Sequence, residues 1–352
     1  MSRFISKRFD KLEEYVPGEQ PTDQKYVKLN TNESPYQPSD SVIAAATEAA
    51  RDLQLYPDPD CSALVNALSD LFGVSAENIV LGNGSDEILN FCFAAYCDCE
   101  KGAAFPNYTY GFYSVFAQLY NIDYTEIPLK NDFTVNIEDY FNIGKTVFIA
   151  NPNAPTGIAL SLCDIERILQ NNPNDIVVID EAYVDFGAQS AISLIDKYDN
   201  LVVVGTFSKS RSLAGARLGF AVAAAPLIRD LNKLRYSTNP YNINRVTLAA
   251  GLAAVNDNDY YMNNCKKIIA TRAETVKSLE SMNFTVLPSS ANFVFAKYNG
   301  NVSGGEIYRT LKQKGVLVRH FDKAGIDEYL RITIGSDEQM NILFDRLKEI
   351  LI

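Results

Sequence analysis

The sequence is short of histidine, of basic charge and of long apolar runs, and each shortage removes a class of function. One histidine, His320, stands among 352 residues. An imidazole-built metal site or a Ser-His-Asp triad therefore has little to draw on, and no metal is expected. His320 itself reads as a loop residue, or as one that lines a pocket. The six cysteines, at 61, 92, 97, 99, 163 and 265, include no C-x-x-C pair, so they read as buried reduced thiols. Lys and Arg total 32 against 43 Asp and Glu, a formal net charge of −11. Nucleic acid and anionic membranes demand clustered positive charge and are not expected partners. The longest nearly uncharged apolar stretch, Leu218 to Ile228, falls far short of the roughly 20 residues that cross a bilayer. Arg3, Lys7 and Arg8 have no apolar segment behind them, so no secretory signal is read and the chain is expected in the cytoplasm.

What is present is globular: 47% of residues are hydrophobic, with 19 Phe and 20 Tyr, ample for a sizeable core. The length suits two domains of about 100–200 residues, or one large domain with a satellite. Through the middle of the chain, continuous β-branched runs alternate with amphipathic stretches, the pattern of a parallel sheet covered by helices. Strands are predicted at Asn78–Leu81, Asp123–Ile127, Thr146–Ala150, Ile176–Asp180, Leu201–Thr206 and Gly219–Ala224, with helices at Asp86–Tyr96, Thr109–Tyr120 and Leu162–Gln170. The last is opened by Ser161 with Asp164 three residues on, a variant of the capping box. The class is α/β, a large domain with a mostly parallel central sheet. After about residue 245 the texture changes. A helix from Tyr260 to Met282, strands at Phe284–Leu287, Phe293–Lys297, Val316–Arg319 and Tyr329–Ile334, and helices near Gly305–Lys314 and at the end predict a smaller α+β domain. The first 40 residues carry Pro17, Pro21, Pro35 and Pro38 with little periodicity and should form an extended arm. The expected division is thus 1–40 arm, 41–250 large domain and 251–352 small domain.

Four segments at strand ends carry polar chemistry, where open α/β sheets bind ligands. Gly82-Asn83-Gly84-Ser85-Asp86-Glu87 leads from a strand into a helix, and its free N–H groups suit a phosphate. It reads equally well as a capped turn, and as a dinucleotide fingerprint it fails at Glu87. Asn151-Pro152-Asn153-Ala154-Pro155-Thr156-Gly157 is an irregular loop at the sheet edge, structural or binding. Asp180, followed by Glu181-Ala182-Tyr183, ends an apolar strand, where a carboxylate requires a cationic or hydrogen-bonding partner or serves as a helix cap. Lys209, in Thr206-Phe207-Ser208-Lys209 with Arg217 downstream, is either a surface amine or one delivered into a desolvated cleft, where its pKa drops and it can form an imine.

Together these segments, in this order, resemble the fold-type I pyridoxal-phosphate enzymes of the class I/II aminotransferase superfamily, over almost the whole chain. The resemblance implies that Lys209 holds pyridoxal 5'-phosphate and later moves a proton, with Asp180 facing the pyridine nitrogen and Tyr183 the phenolic oxygen. Tyr110 matches the aromatic that stacks on the ring. The phosphate is expected on Gly84, Ser85 and Asp86, with Thr206, Ser208 and Arg217. The family loop normally has Asn immediately before Pro-Thr-Gly, where this chain has Ala154. Either Asn153 replaces it by a shift of the loop, or Tyr183 acts alone.

Within the superfamily, Tyr15-Val16-Pro17-Gly18, Leu29-Asn30-Thr31-Asn32-Glu33-Ser34-Pro35, Tyr56-Pro57-Asp58-Pro59, Val318-Arg319 and Leu330-Arg331-Ile332-Thr333-Ile334-Gly335 are similar to the histidinol-phosphate aminotransferase family. That likeness implies substrate contacts from Tyr15, Asn32, Arg319 and Arg331, with Arg331 taking the carboxylate of glutamate in one half-reaction and sharing the substrate phosphate with Arg319 in the other. It also implies a homodimer, with Tyr56 reaching the neighbouring cofactor phosphate, and small-molecule partners, an amino donor and a 2-oxo acid. On the residues alone, Arg319 equally suits a pair with Asp322, and Tyr15 simple packing. Threonine-phosphate decarboxylase, an aromatic or broad-range aminotransferase and a non-catalytic regulator on the same fold are the alternative readings.

Overall fold

A computed structural model describes residues 2–9 and 12–351; expectations that fall on residues 1, 10, 11 and 352 lie outside them. The first strand, β1 (Val27–Lys28), belongs to the arm, and helices α1 (Asp40–Ala49) and α2 (Ser62–Phe72) follow. The central part runs β2 (Ile79–Gly82), α3 (Ser85–Tyr96), β3 (Ala103–Pro106), α4 (Phe112–Tyr120), β4 (Tyr124–Ile127), β5 (Thr146–Ala150), α5 (Leu162–Gln170), β6 (Val177–Asp180), β7 (Leu201–Thr206) and β8 (Gly219–Ala223). Helices α6 (Ala225–Thr238), α7 (Arg245–Asn256) and α8 (Asn258–Ser281) lead to β9 (Phe284–Val286) and β10 (Phe293–Tyr298). Then come α9 (Gly304–Gln313), β11 (Val316–Leu317), β12 (Arg319–His320), β13 (Tyr329–Thr333) and α10 (Asp337–Ile350).

Strands β2 to β8 form one seven-stranded sheet in the order β2-β8-β7-β6-β5-β3-β4. The pairs β3–β4, β3–β5, β5–β6 and β6–β7 are parallel, and β8 runs antiparallel to both its neighbours. The apolar runs that mark these strands are explained by burial on both faces. Val177, Ile179, Val147 and Ile149 pack with Leu64, Leu68, Ile165 and Ala250 on one side; Val178, Phe148, Val202 and Val204 pack with Leu89, Phe93, Phe116 and Leu231 on the other. Because β2, β6 and β7 point the same way, their C-terminal ends open on one edge of the sheet, which is where ligands bind in open α/β folds.

The second sheet is antiparallel, β12-β13-β10-β9. Its core gathers Leu279 of α8, Val294 of β10, Ile307 and Leu311 of α9, and Leu343 of α10. The arm lies along it: β1 pairs in parallel with β11, and buried Leu29 joins the same core. The predicted strand Val316–Arg319 is divided, β11 pairing with the arm and β12 with β13, so His320 is a strand residue rather than a loop residue. The expected border at residue 250 falls inside α7, which packs against α1 and α2. The chain leaves the large core along α8, where Tyr261 packs in that core and Cys265 and Ile268 in the small one.

Candidate active site

Asp180 closes β6 at the open edge of the sheet, opposite Ala150 of β5 and Val204 of β7. It is buried. Its Oδ2 accepts the hydroxyl of Tyr113 at 3.0 Å and its Oδ1 the backbone N–H of Ala182 at 3.2 Å. Burial pushes its pKa up to about 6, against the pull of those two donors and the charge of Lys209. The adjacent strand β7 ends at Thr206, and the turn behind it carries Lys209 into the same cleft. The Lys209 Nζ donates to the backbone carbonyl of Thr31 at 3.0 Å and lies 5.8 Å from the centre of the Tyr183 ring. Enclosure, then the positive charge of Arg331, brings its pKa down to about 8. An amine in this state is a nucleophile and a proton acceptor near neutral pH.

Tyr183 points its hydroxyl at Asn32, whose Nδ2 donates to it at 2.9 Å. Asn32 is buried with left-handed backbone (φ 55°) and accepts from Thr333 through its Oδ1 at 3.0 Å. The first contact of Asn32 is therefore with Tyr183, a neighbour that the sequence reading did not join to it.

The turn after β2 brings Gly84, at φ 82°, to the N-cap of α3, with no side chain capping the helix. Its free N–H groups and the positive end of the helix favour an anion. Arg217 lies over this turn: a Cβ on Gly84 would stand 2.6 Å from Arg217 Nη2 and push the guanidinium aside, and the positive φ favours glycine there as well. Thr206 accepts the backbone N–H of Ser208 at 3.1 Å and donates to its hydroxyl at 3.0 Å. The side chain of Asp86 is otherwise engaged, accepting Arg217 at 2.8 Å and the hydroxyl of Tyr110 at 2.7 Å. It anchors two neighbours and would repel a phosphate; Asp86 can offer that ligand only its backbone N–H.

Two expectations are corrected. Asn153 does not substitute for the missing loop asparagine. Its Nδ2 donates to Tyr108 O and Thr156 Oγ1, its Oδ1 accepts from Thr109, and it lines a separate cavity of about 350 Å³. Ala154 faces the cleft instead and packs against Ala291, Phe293 and Tyr183. Tyr56, expected to act at the cofactor of a neighbouring subunit, is 77% exposed, stacked on Tyr241 at 4.5 Å, and lies outside this chain's own cleft. The cysteines are free, but Cys99 and Cys163 are exposed, since neither falls on an inward face.

The cleft, about 750 Å³, is completed by Tyr15, Tyr110, Arg319 and Arg331. Tyr15 stacks on Phe112 at 4.2 Å. Arg319 donates to the carbonyls of Val16 and Pro17 at 3.3 and 3.4 Å rather than pairing with Asp322. Arg331 donates to the carbonyl of Asn30 at 2.9 Å, while its Nε is buried without a partner. Among the described residues neither arginine meets a carboxylate within ion-pair distance. Thr31 Oγ1, at the floor of the cleft, is likewise buried and unpartnered. A site with unsatisfied donors, a cradle at a helix N-terminus and an amine beside a buried carboxylate fits pyridoxal phosphate. Among the described residues no group of His, Cys, Asp and Glu is arranged to hold a metal, and no helix is long and apolar enough to cross a membrane.

Tyr113 is the functional neighbour that the sequence reading missed. Its signal was a tyrosine in the first turn of a helix whose other inward residues are apolar. Such a hydroxyl must find a partner inside the protein.

Comparison with known proteins agrees with this geometry. A Marinomonas histidinol-phosphate aminotransferase is 52% identical over 99% of this chain and 99% of its own length. The enzyme of the same name from Brachyspira hyodysenteriae is 49% identical over 100% of this chain and 99% of its own. The crystal structure of histidinol-phosphate aminotransferase from Sinorhizobium meliloti, in complex with pyridoxal-5'-phosphate, superposes with a TM-score of 0.90 at 25% identity, covering 99% of both chains. The profile of the aminotransferase class I and II family matches residues 24–347, and with the lysine, the strand-end aspartate and the helix-capped cradle converging on one cleft, the chain belongs to that family.

Proposed function

We propose that the protein is a cytoplasmic, homodimeric aminotransferase that exchanges the amino group of histidinol phosphate with 2-oxoglutarate, or in reverse that of glutamate with imidazole acetol phosphate, in histidine biosynthesis. The observation that carries this reading is the pair Arg319 and Arg331, held in the cleft of Lys209 by backbone carbonyls and left without a carboxylate. Guanidinium groups meet carboxylate and phosphate equally well in two-pronged contacts, so one pocket serves both anions. This also reconciles an acidic chain with anionic ligands, because a few local cations outweigh distant negative charge.

Bound pyridoxal phosphate supplies the electron sink for the carbon that loses its proton. Lys209 holds the cofactor and then receives and returns that proton at Nζ. Asp180 keeps the pyridine nitrogen protonated. Asn32 donates to the Tyr183 oxygen, which leaves the Tyr183 hydrogen free, and that hydroxyl would donate to the phenolic oxygen of the bound cofactor. Tyr110 would lie against the ring, and the Gly84, Ser85 and Asp86 turn, with Thr206, Ser208 and Arg217, would take the phosphate. Tyr15 covers the substrate from the arm.

The partner subunit's share rests on an exposed apolar strip. Leu53, Leu55 and Tyr56 are 60%, 57% and 77% exposed, beside Tyr241, a cluster that a second copy would cover. In that assembly Tyr56 reaches the neighbouring cofactor phosphate. The purified protein should transaminate histidinol phosphate with 2-oxoglutarate. Release of CO2 from threonine phosphate without amine exchange would replace this reading with the decarboxylase.

A further inference from the structure

Tyr113 is fully buried. Its ring is enclosed by Phe93 of α3, Phe105 of β3, Phe148 of β5 and Tyr110, an aromatic box that a phenylalanine would fill equally well. The hydroxyl is therefore superfluous to packing, yet it is spent on one partner, the Oδ2 of Asp180 at 3.0 Å. A carboxylate only accepts, so the proton of this bond sits on Tyr113. With the Ala182 N–H on Oδ1, each carboxylate oxygen receives one donor from the protein. The two bonds fix the plane of the carboxylate and favour its charged form over the neutral one. The other groups acting on Asp180 divide: Asp86 opposes its ionisation and Lys209 supports it. The close-packed box around Tyr113 keeps the hydroxyl aimed at the carboxylate, because its ring cannot swing far without displacing the four rings around it.

We propose that Tyr113 is the positioning residue for Asp180, orienting its carboxylate and keeping it anionic, and so sets how tightly the cofactor's pyridine nitrogen is held. The inference deepens the proposed function and rests on its assignment of Asp180.

The test is the affinity of the apoprotein for added pyridoxal phosphate, followed by absorbance and equilibrium dialysis. Tyr113→Phe should weaken binding about tenfold, the lower range for a lost hydrogen bond to a charged group. In an Asp180→Ala background the same substitution should change affinity by less than about twofold, since the hydroxyl acts only through the carboxylate. Phe93→Leu, which leaves Phe105, Phe148 and Tyr110 around the ring and keeps the hydroxyl, should also stay within about twofold. Wild-type affinity in Tyr113→Phe, an undiminished loss in the Asp180→Ala background, or an equal loss in Phe93→Leu would each overturn the proposal. Failure of the wild-type apoprotein to take up pyridoxal phosphate at all would instead overturn the cofactor site, and this inference with it.

Discussion

The Nζ of Lys209 and the carbonyl oxygen of Thr31 lie 3.0 Å apart, so the amine proposed to hold the cofactor is itself held by the arm, across 178 residues of sequence. The bond fixes the direction of the amine within a cleft that has already lowered its affinity for a proton. Lys209→Ala should abolish the visible absorbance of the bound cofactor and lower kcat by more than about a thousandfold, as removal of a catalytic nucleophile does. An unchanged spectrum would remove Lys209 from the chemistry.

Loading of the apoprotein should depend on pH in two ways. Imine formation requires neutral Lys209, so the rate of cofactor uptake should rise with pH and level off above about 8. Affinity should fall as pH drops below about 6, where Asp180 takes up a proton and ceases to balance the pyridinium. The folded pKa of Asp180 lies above the ordinary carboxyl value, so this loss sets in at milder acidity than for an exposed aspartate. Stopped-flow absorbance across pH 5 to 9, in steps of about one unit, reads both limbs. A flat profile contradicts the two assignments.

Arg331→Ala should raise KM for glutamate and for the phosphorylated substrate alike, each by about a hundredfold, the scale of a lost charge-assisted pair. Arg319→Ala should raise it for the phosphorylated substrate alone. Steady-state kinetics with the two amino donors compares them, and selective loss of one substrate in Arg331→Ala would mean separate anion pockets.

Restoring asparagine at Ala154 should harm the protein. Ala154 is 6% exposed and sits among Ala291, Phe293 and Tyr183, so a larger amide crowds that nest and leaves polar atoms in apolar surroundings. Ala154→Asn should cost about 1–3 kcal/mol in urea unfolding. A gain in stability together with tighter cofactor binding would show that the nest opens to admit the side chain.

Much of this site was readable because strand ends carry it. The run Ile176-Val177-Val178-Ile179 reads as a strand buried on both faces, and the carboxylate closing it needed a cationic or hydrogen-bonding partner or a helix to cap. Lys209 and Arg217 were marked in the same way by the strands on either side. What stayed hidden depends on where loops travel. Asn153 and Ala154 are adjacent, and only the path of the loop decides which faces the cleft. Strand β3, with two alanines and a proline among its four residues, lacks the β-branched side chains that betray a strand. Helix α7 is missing from the sequence reading for the opposite reason. Its Leu-Ala-Ala-Gly-Leu-Ala-Ala run has little polar face to set a period, because it is packed against α1 and α2. Asp86 looked like part of a phosphate turn, and its bond to Arg217 spans 131 residues, beyond what local spacing can reveal.

The pairing of β1 with β11 ties the beginning of the polypeptide to its last quarter. Residues 30 and 31, which steady Arg331 and Lys209 through their carbonyls, gain their seat only when β11 and β13 exist to receive the arm. A growing chain thus finishes the seven-stranded sheet well before its pocket has a floor, and early and late synthesis meet at the Lys209 amine. Long-range closure of this kind is slow compared with local folding, so competence for catalysis should be the last property this polypeptide acquires.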